Sequence, residues 1–123
     1  MKKPNDSFLR GRLRSLKFAF KGAYLLLTTE HSIMMQFSLG IAVTILGFVM
    51  QISATEWMFQ LLAVGTVLVA ESLNTGIEKI CDFIHPDYHE RIGFIKDISA
   101  GAATFAAIIA LIIGLIIYIP KFI

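Results

Sequence analysis

Three stretches of this sequence leave little choice of solvent. Ile33 to Ile52 is close to the roughly 20 apolar residues that cross a hydrocarbon core of about 30 Å, and Ile98 to Ile119 is long enough without help. Between them, Trp57 to Ala70 is apolar but too short. It crosses only if the helix runs on through Glu71-Ser72-Leu73-Asn74 to Ile84, which delivers a polar end to the interface. None of the three contains proline, and a spanning backbone must satisfy its own hydrogen bonds, so all three runs predict helices. The rest of the composition agrees. At 123 residues, 56% hydrophobic and 16% charged, the chain is neither a soluble globule nor disordered; one cysteine, Cys81, and three prolines exclude a disulfide scaffold and a collagenous fibre.

Charge placement predicts the topology. Lys2, Lys3, Arg10, Arg12, Arg14, Lys17 and Lys21 all precede residue 22, and ahead of hydrophobic spans such a cluster marks the cytoplasmic side rather than a nucleic-acid site. No small-residue cleavage site follows the first apolar run, so the N-terminus is expected to be retained. Residues 51–56 carry no Lys or Arg, whereas Lys79, Arg91 and Lys96 lie between the second and third runs. The N-terminus and residues 79–97 are therefore expected in the cytoplasm, and residues 51–56 and Lys121 outside. Over residues 8–28, Leu9, Leu13, Leu16, Phe20 and Leu27 recur at helical spacing beside Arg10, Arg14, Lys17 and Lys21, predicting an amphipathic helix in the headgroup region. His85-Pro86-Asp87 predicts a turn. The expected molecule is one all-α membrane domain over residues 1–123, with this interfacial helix and spans at 33–52, 57–84 and 98–119.

Glu71 is the first candidate for chemistry, because it follows fourteen uncharged residues and an ionisable group at that depth normally faces a bundle interior. Asn74, Glu78 and Asp82 continue along the same helical face toward the cytoplasm. Glu30 precedes the first span and Lys96-Asp97 the third, so three helix ends bring carboxylates and an ammonium to one level. Gathered carboxylates repel unless a cation lies among them, and Mg²⁺ is held by one or two carboxylates together with substrate phosphates; Glu30 with Glu78 is the candidate pair. Taken singly, Glu30, Glu78, Asp82 and Glu90 also suit ordinary interfacial charges at helix ends. The phosphate-loop and soluble protein-kinase motifs are absent. Cys81 has no second cysteine, and Pro86 interrupts the spacing of His85 and His89, which argues against zinc. Gly22, Gly40, Gly47, Gly101 and Gly114 suit close helix packing.

The run Glu71-Ser72-Leu73-Asn74-Thr75-Gly76-Ile77-Glu78, then Asp82, Tyr88-His89 and Lys96-Asp97, resembles the signature of the prokaryotic diacylglycerol kinases, small integral-membrane lipid kinases that include undecaprenol kinases. The likeness covers nearly the whole chain, from Phe18-Ala19-Phe20-Lys21-Gly22 in the basic arm through the three spans. It implies transfer of the γ-phosphoryl group of ATP to diacylglycerol, giving phosphatidic acid, with undecaprenol as the alternative acceptor. By the same resemblance Glu71 is the general base, and Glu30 and Glu78 hold Mg²⁺ and through it the ATP phosphates. Asn74, Lys96 and Asp97 match nucleotide-site positions, and Asp87, Tyr88 and His89 match the loop near the nucleotide. A homotrimer in the bacterial inner membrane, with sites shared between subunits at the cytoplasmic interface, is also implied. Gln36 stands where diacylglycerol-specific members carry an acid, Met34 where many carry a base, and Phe20 and Leu27 where some carry tryptophan. Arg10 and Arg12 flank Gly11 where an arginine is expected. These departures bear on the identity of the lipid.

Two other classes share some of these features. A small proton-coupled transporter also depends on an embedded glutamate, but it needs four spans and gives Lys96-Asp97 no role. A non-catalytic assembly factor would use the polar face for helix packing alone.

Overall fold

The computed structural model describes residues 7–123; Lys2 and Lys3, counted above toward the cytoplasmic charge, lie outside them. It is all-helical: α1 (Phe8–Thr29), α2 (His31–Val49), α3 (Ala54–Ile84) and α4 (Glu90–Phe122). The last three are each long and apolar enough to cross a membrane.

Local chemistry sets each boundary. Ser7 opens α1 by accepting from the Arg10 N–H at 3.2 Å. Glu30, in extended backbone, separates α1 from α2. The apolar run suggests a span to Ile52, but α2 ends at Val49. Gln51 adopts a left-handed φ of 52° there, its N–H reaches the Phe48 carbonyl at 3.3 Å, and the Ile52 N–H reaches the Gly47 carbonyl at 3.2 Å. This is a Schellman turn: Ile52 is buried because it folds back onto Gly47, not because it continues the helix. α3 starts three residues ahead of its apolar run because Ser53 and Glu56 form a capping box, with Ser53 N–H to Glu56 Oε1 at 2.9 Å and Glu56 N–H to Ser53 Oγ at 3.2 Å. It then runs unbroken through Glu71 to Ile84, as the second span requires, and stops at His85, ahead of Pro86. α4 starts eight residues ahead of its apolar run, at Glu90, capped by His89 Nδ1 accepting from the Arg91 N–H at 3.1 Å.

α3 packs along α4, and α2 packs on α3. The seam is built from small and polar side chains: Gly40 and Gly47 on α2, Ala63, Val67 and Thr75 on α3, Ser99 and Ala103 on α4. Small residues let backbones approach closely where no water-driven burial is available to hold helices together. The approach is tight: a methyl at Gly40 would lie 2.9 Å from Val64 Cγ1, and one at Gly47 only 2.7 Å from Trp57 Cη2. Among the described residues no large side chain is fully buried, and Leu39, Ile45, Leu62, Val69, Phe105, Ile109 and Ile116 all face outward.

The two ends of the bundle are polar. At one, Lys121 Nζ on α4 meets Glu56 Oε1 on α3 at 3.2 Å. Just inside it, Gln60 Nε2 donates to the Val43 carbonyl at 3.0 Å and the Tyr118 hydroxyl to Gln60 Oε1 at 2.5 Å, tying three helices with one buried amide. Glu30, Lys79, Asp82 and Lys96 gather at the other end. About 33 Å of α3 separate Glu56 from Glu78, close to a hydrocarbon thickness of about 30 Å. α1 buries none of its side chains; Phe8, Leu9, Leu13, Leu16 and Phe20 are exposed along it.

Candidate active site

α3 carries the centre of the site. Its buried stripe of Gln60, Ala63 and Val67 continues, in the same three-and-four spacing, into Glu71, Asn74 and Glu78, all half-buried. The face that packs the bundle is thus also the face that turns polar. Asn74 Nδ2 donates to Glu78 Oε1 at 3.3 Å, one turn apart. The other amide atom, Asn74 Oδ1, is buried without a partner among the described residues, as is Ser99 Oγ on α4. Both residues line an apolar groove of about 600 Å³ bounded by Leu61, Val69, Leu73 and Ile77. The Glu71 carbonyl accepts the Thr75 hydroxyl at 2.9 Å, and among the described residues no hydrogen bond or ion pair engages the Glu71 carboxylate.

The neighbouring helix ends add charge. Glu30, at the α1–α2 break, receives Lys79 Nζ at 2.9 Å and, more weakly, the Thr29 hydroxyl at 3.4 Å, both on Oε1. Lys96 on α4 pairs with Asp82 on α3, closing the return between these helices. Between them the loop exposes Asp87, Tyr88 and His89. His85 Nδ1 lies 2.7 Å from the Asp87 carbonyl, which fixes the turn, and the Tyr88 ring lies over Gly93, where a methyl would come within 3.4 Å of Cε2. Asp97 is exposed one residue beyond Lys96.

Of the residues singled out from sequence, Glu30, Glu78, Lys96 and Asn74 therefore come to one end of the bundle in three linked pairs, Glu30–Lys79, Asn74–Glu78 and Asp82–Lys96. Glu71, Asp87, Tyr88 and Asp97 make no hydrogen bond or ion pair to that set among the described residues. Among these residues no group of three or more His, Cys, Asp or Glu side chains forms a ready metal cage. The donor chemistry of Glu30 and Glu78, hard carboxylate oxygens on adjoining elements, suits an ion that takes one or two carboxylates and completes its shell with phosphate and water.

In the sequence Lys79 marks only the orientation of the chain. Its link to Glu30 follows from its place one residue beyond Glu78, which turns its side chain about 100° off the polar face and toward the α1–α2 junction. Gln60 and Tyr118 are likewise silent in the sequence, since an uncharged amide and a phenol within apolar runs give no signal until the helices are packed.

The protein-family model for prokaryotic diacylglycerol kinase matches residues 17–118, which include every candidate residue above. An undecaprenol kinase of Bacillus subtilis is 36% identical over 108 residues, covering 88% of each chain. A diacylglycerol kinase of Synechocystis sp. is 29% identical over 109 residues, covering 88% of this chain and 62% of that protein. A fold with three span-length helices and an acidic face at one end of the bundle, matched by this family model over most of its length, leads to one assignment: the chain belongs to the prokaryotic diacylglycerol kinase family.

Proposed function

We propose that the protein is an ATP-dependent lipid kinase that transfers the γ-phosphoryl group to the hydroxyl of diacylglycerol, giving phosphatidic acid, at the cytoplasmic face of a bacterial inner membrane. The observation that carries this reading is the vertical order of groups on α3. Glu71 lies about 10 Å along the helix from Glu78, toward the membrane interior, while Glu30, Lys79, Asp82 and Lys96 crowd the Glu78 level. A lipid hydroxyl arrives from the bilayer side and a nucleotide from water, and this gradient provides for both. The groove that reaches Asn74 and Ser99 offers an apolar channel for an acyl chain within a turn of Glu71.

Phosphoryl transfer needs in-line positioning, charge neutralisation and a group to receive the hydroxyl proton. Glu71 receives that proton at its carboxylate, which no other described group engages. Asn74 orients the Glu78 carboxylate through its 3.3 Å hydrogen bond, which leaves the lipid hydroxyl's one proton to Glu71 and the buried Asn74 Oδ1 open to a different donor. Glu30 and Glu78 would hold Mg²⁺, which neutralises phosphate charge when bound. Lys96, steered by Asp82, presents its ammonium to the nucleotide side, with Asp97 beside it and Asp87, Tyr88 and His89 in the loop that borders the nucleotide. The protein acts as a homotrimer in this reading, and the partnerless Asn74 Oδ1 and Ser99 Oγ support sites completed by substrate or by a neighbouring subunit.

Undecaprenol is the second acceptor, favoured by the 36% identity to the Bacillus undecaprenol kinase. Purified protein in lipid with Mg²⁺ and γ-labelled ATP, given each acceptor side by side, tests both. Labelled phosphatidic acid is the expected product, labelled undecaprenyl phosphate identifies the second acceptor, and no labelled lipid from either removes the kinase reading.

A further inference from the structure

Glu30 does not use its carboxylate on the helix it opens. A side-chain oxygen at a helix N-cap ordinarily accepts from the free N–H groups of the first turn, yet Glu30 makes no such bond to α2. Its Oε1 instead accepts from Lys79 Nζ at 2.9 Å, across to α3. The acid is the sheltered member of the pair, with 21% of its side chain exposed against 66% for the lysine, so the ammonium covers the carboxylate from the solvent side. Glu78 and Asp82 add their attraction and hold the lysine over this acidic end.

We infer that Lys79 is a resident counter-cation for Glu30, which competes with the divalent ion for that carboxylate and sets the metal concentration the protein requires. This rests on the reading above, in which Glu30 and Glu78 hold Mg²⁺. A Mg²⁺–oxygen bond is about 2.0–2.1 Å long, so an ion bound to the same oxygen would sit within a few ångströms of the ammonium, and two cations at that separation repel. One must leave, and Lys79 is the one able to: its stem has four flexible methylenes and most of it is already in water. Exchange of one cation for the other keeps Glu30 neutralised in both states, so the acidic pair is never left uncompensated at the membrane surface.

Binding of Mn²⁺ alone to the purified full chain in detergent, followed by the loss of its free paramagnetic signal, measures the competition without turnover. Lys79→Met is expected to tighten Mn²⁺ binding about two- to tenfold, the range set by losing an exposed ion pair and a nearby positive charge. Lys79→Gln should do the same and serves if the first variant fails to fold. Lys79→Arg keeps the cation and should stay close to wild type. In a Glu30→Gln background Lys79→Met should give no tightening. If Glu30→Gln weakens Mn²⁺ binding while Lys79→Met and Lys79→Gln leave it unchanged or weaker, the competition is wrong and the metal assignment stands. Tightening of equal size without Glu30 would also overturn the competition, since it would reflect overall charge alone. If Glu30→Gln leaves Mn²⁺ binding unaltered, the metal assignment itself fails, and the competition with it.

Discussion

Glu71 is a side chain with a defined backbone and an uncommitted carboxylate: Thr75 bonds its carbonyl, and among the described residues nothing bonds its oxygens. Replacing it with Gln preserves shape and hydrogen bonding and removes only proton acceptance. Turnover of Glu71→Gln is expected to fall by about two to four orders of magnitude with helix content and Mn²⁺ binding unchanged; turnover near wild type would remove the role as base. Glu30→Gln and Glu78→Gln act on a different quantity. In the proposed reading each deletes one hard anionic ligand, so the Mg²⁺ concentration for half-maximal activity should rise. Glu78→Gln carries an added effect, because Asn74 Nδ2 donates to that carboxylate and an amide there presents one acceptor fewer. An identical Mg²⁺ response in both variants would assign the two acids to structure.

At the scale of elements, the connection between α2 and α3 concentrates the local tension. Gln51 holds a φ of 52°, where an L-residue with a Cβ is disfavoured and glycine is not. Gln51→Gly should therefore stabilise the hairpin, by roughly 0.5–1 kcal/mol after its larger unfolded-state entropy is counted, read as a higher midpoint of thermal unfolding in detergent. Gly47 sets the opposite limit. A methyl there meets Trp57 Cη2 at 2.7 Å and Cζ2 at 2.9 Å, and the indole already packs against Phe48 in a tilted arrangement, with ring centroids 4.9 Å apart and planes at 52°. Gly47→Ala is expected to cost about 1–3 kcal/mol through overpacking, and Trp57→Leu in the same chain should recover part of it. Equal stability of Gly47→Ala and wild type would mean that the indole moves aside freely.

For the whole molecule, three spans that leave most large apolar side chains outward make a thin bundle. The lipid headgroup and nucleotide of the proposed reaction, held together, would need more wall than such a bundle offers. The proposed trimer with shared sites would supply it, so subunits carrying Glu71→Gln, mixed with subunits inactivated at Glu30, Glu78, Lys96 or Asp97, should regain part of the activity. A mixed assembly would then contain an interface with every group intact. Mixed oligomers verified by cross-linking that regain nothing in any pairing would mean that each subunit carries a complete site. The far end of the bundle should be separable from this chemistry. Gln60→Leu removes both hydrogen bonds of the buried amide, leaving the Tyr118 hydroxyl only the Val43 carbonyl at 3.3 Å, and should lower stability by about 0.6–1.7 kcal/mol, the range of interhelical hydrogen bonds in membrane proteins, with turnover per folded molecule unchanged.

Hydrophobicity and its period, which are properties of the chain read in order, determined the number of long helices, the continuation of α3 through Glu71 to Ile84 and the polar face that Glu71, Asn74 and Glu78 share. The run Glu71 to Glu78, with Lys96-Asp97 after it, was enough to point to the family. Helix ends were less legible because caps and reverse turns are short-range hydrogen-bond events that hydropathy does not register: Ile52 is as apolar as any span residue, yet it is the end of a Schellman turn. The pairings Glu30–Lys79, Asp82–Lys96 and Gln60–Tyr118 were decided only by tertiary structure. Each joins residues on different elements, and whether an ammonium covers one carboxylate or its neighbour depends on the rotation and spacing of packed helices, which small residues such as Gly40 and Ala63 set through contact rather than through any pattern along the chain.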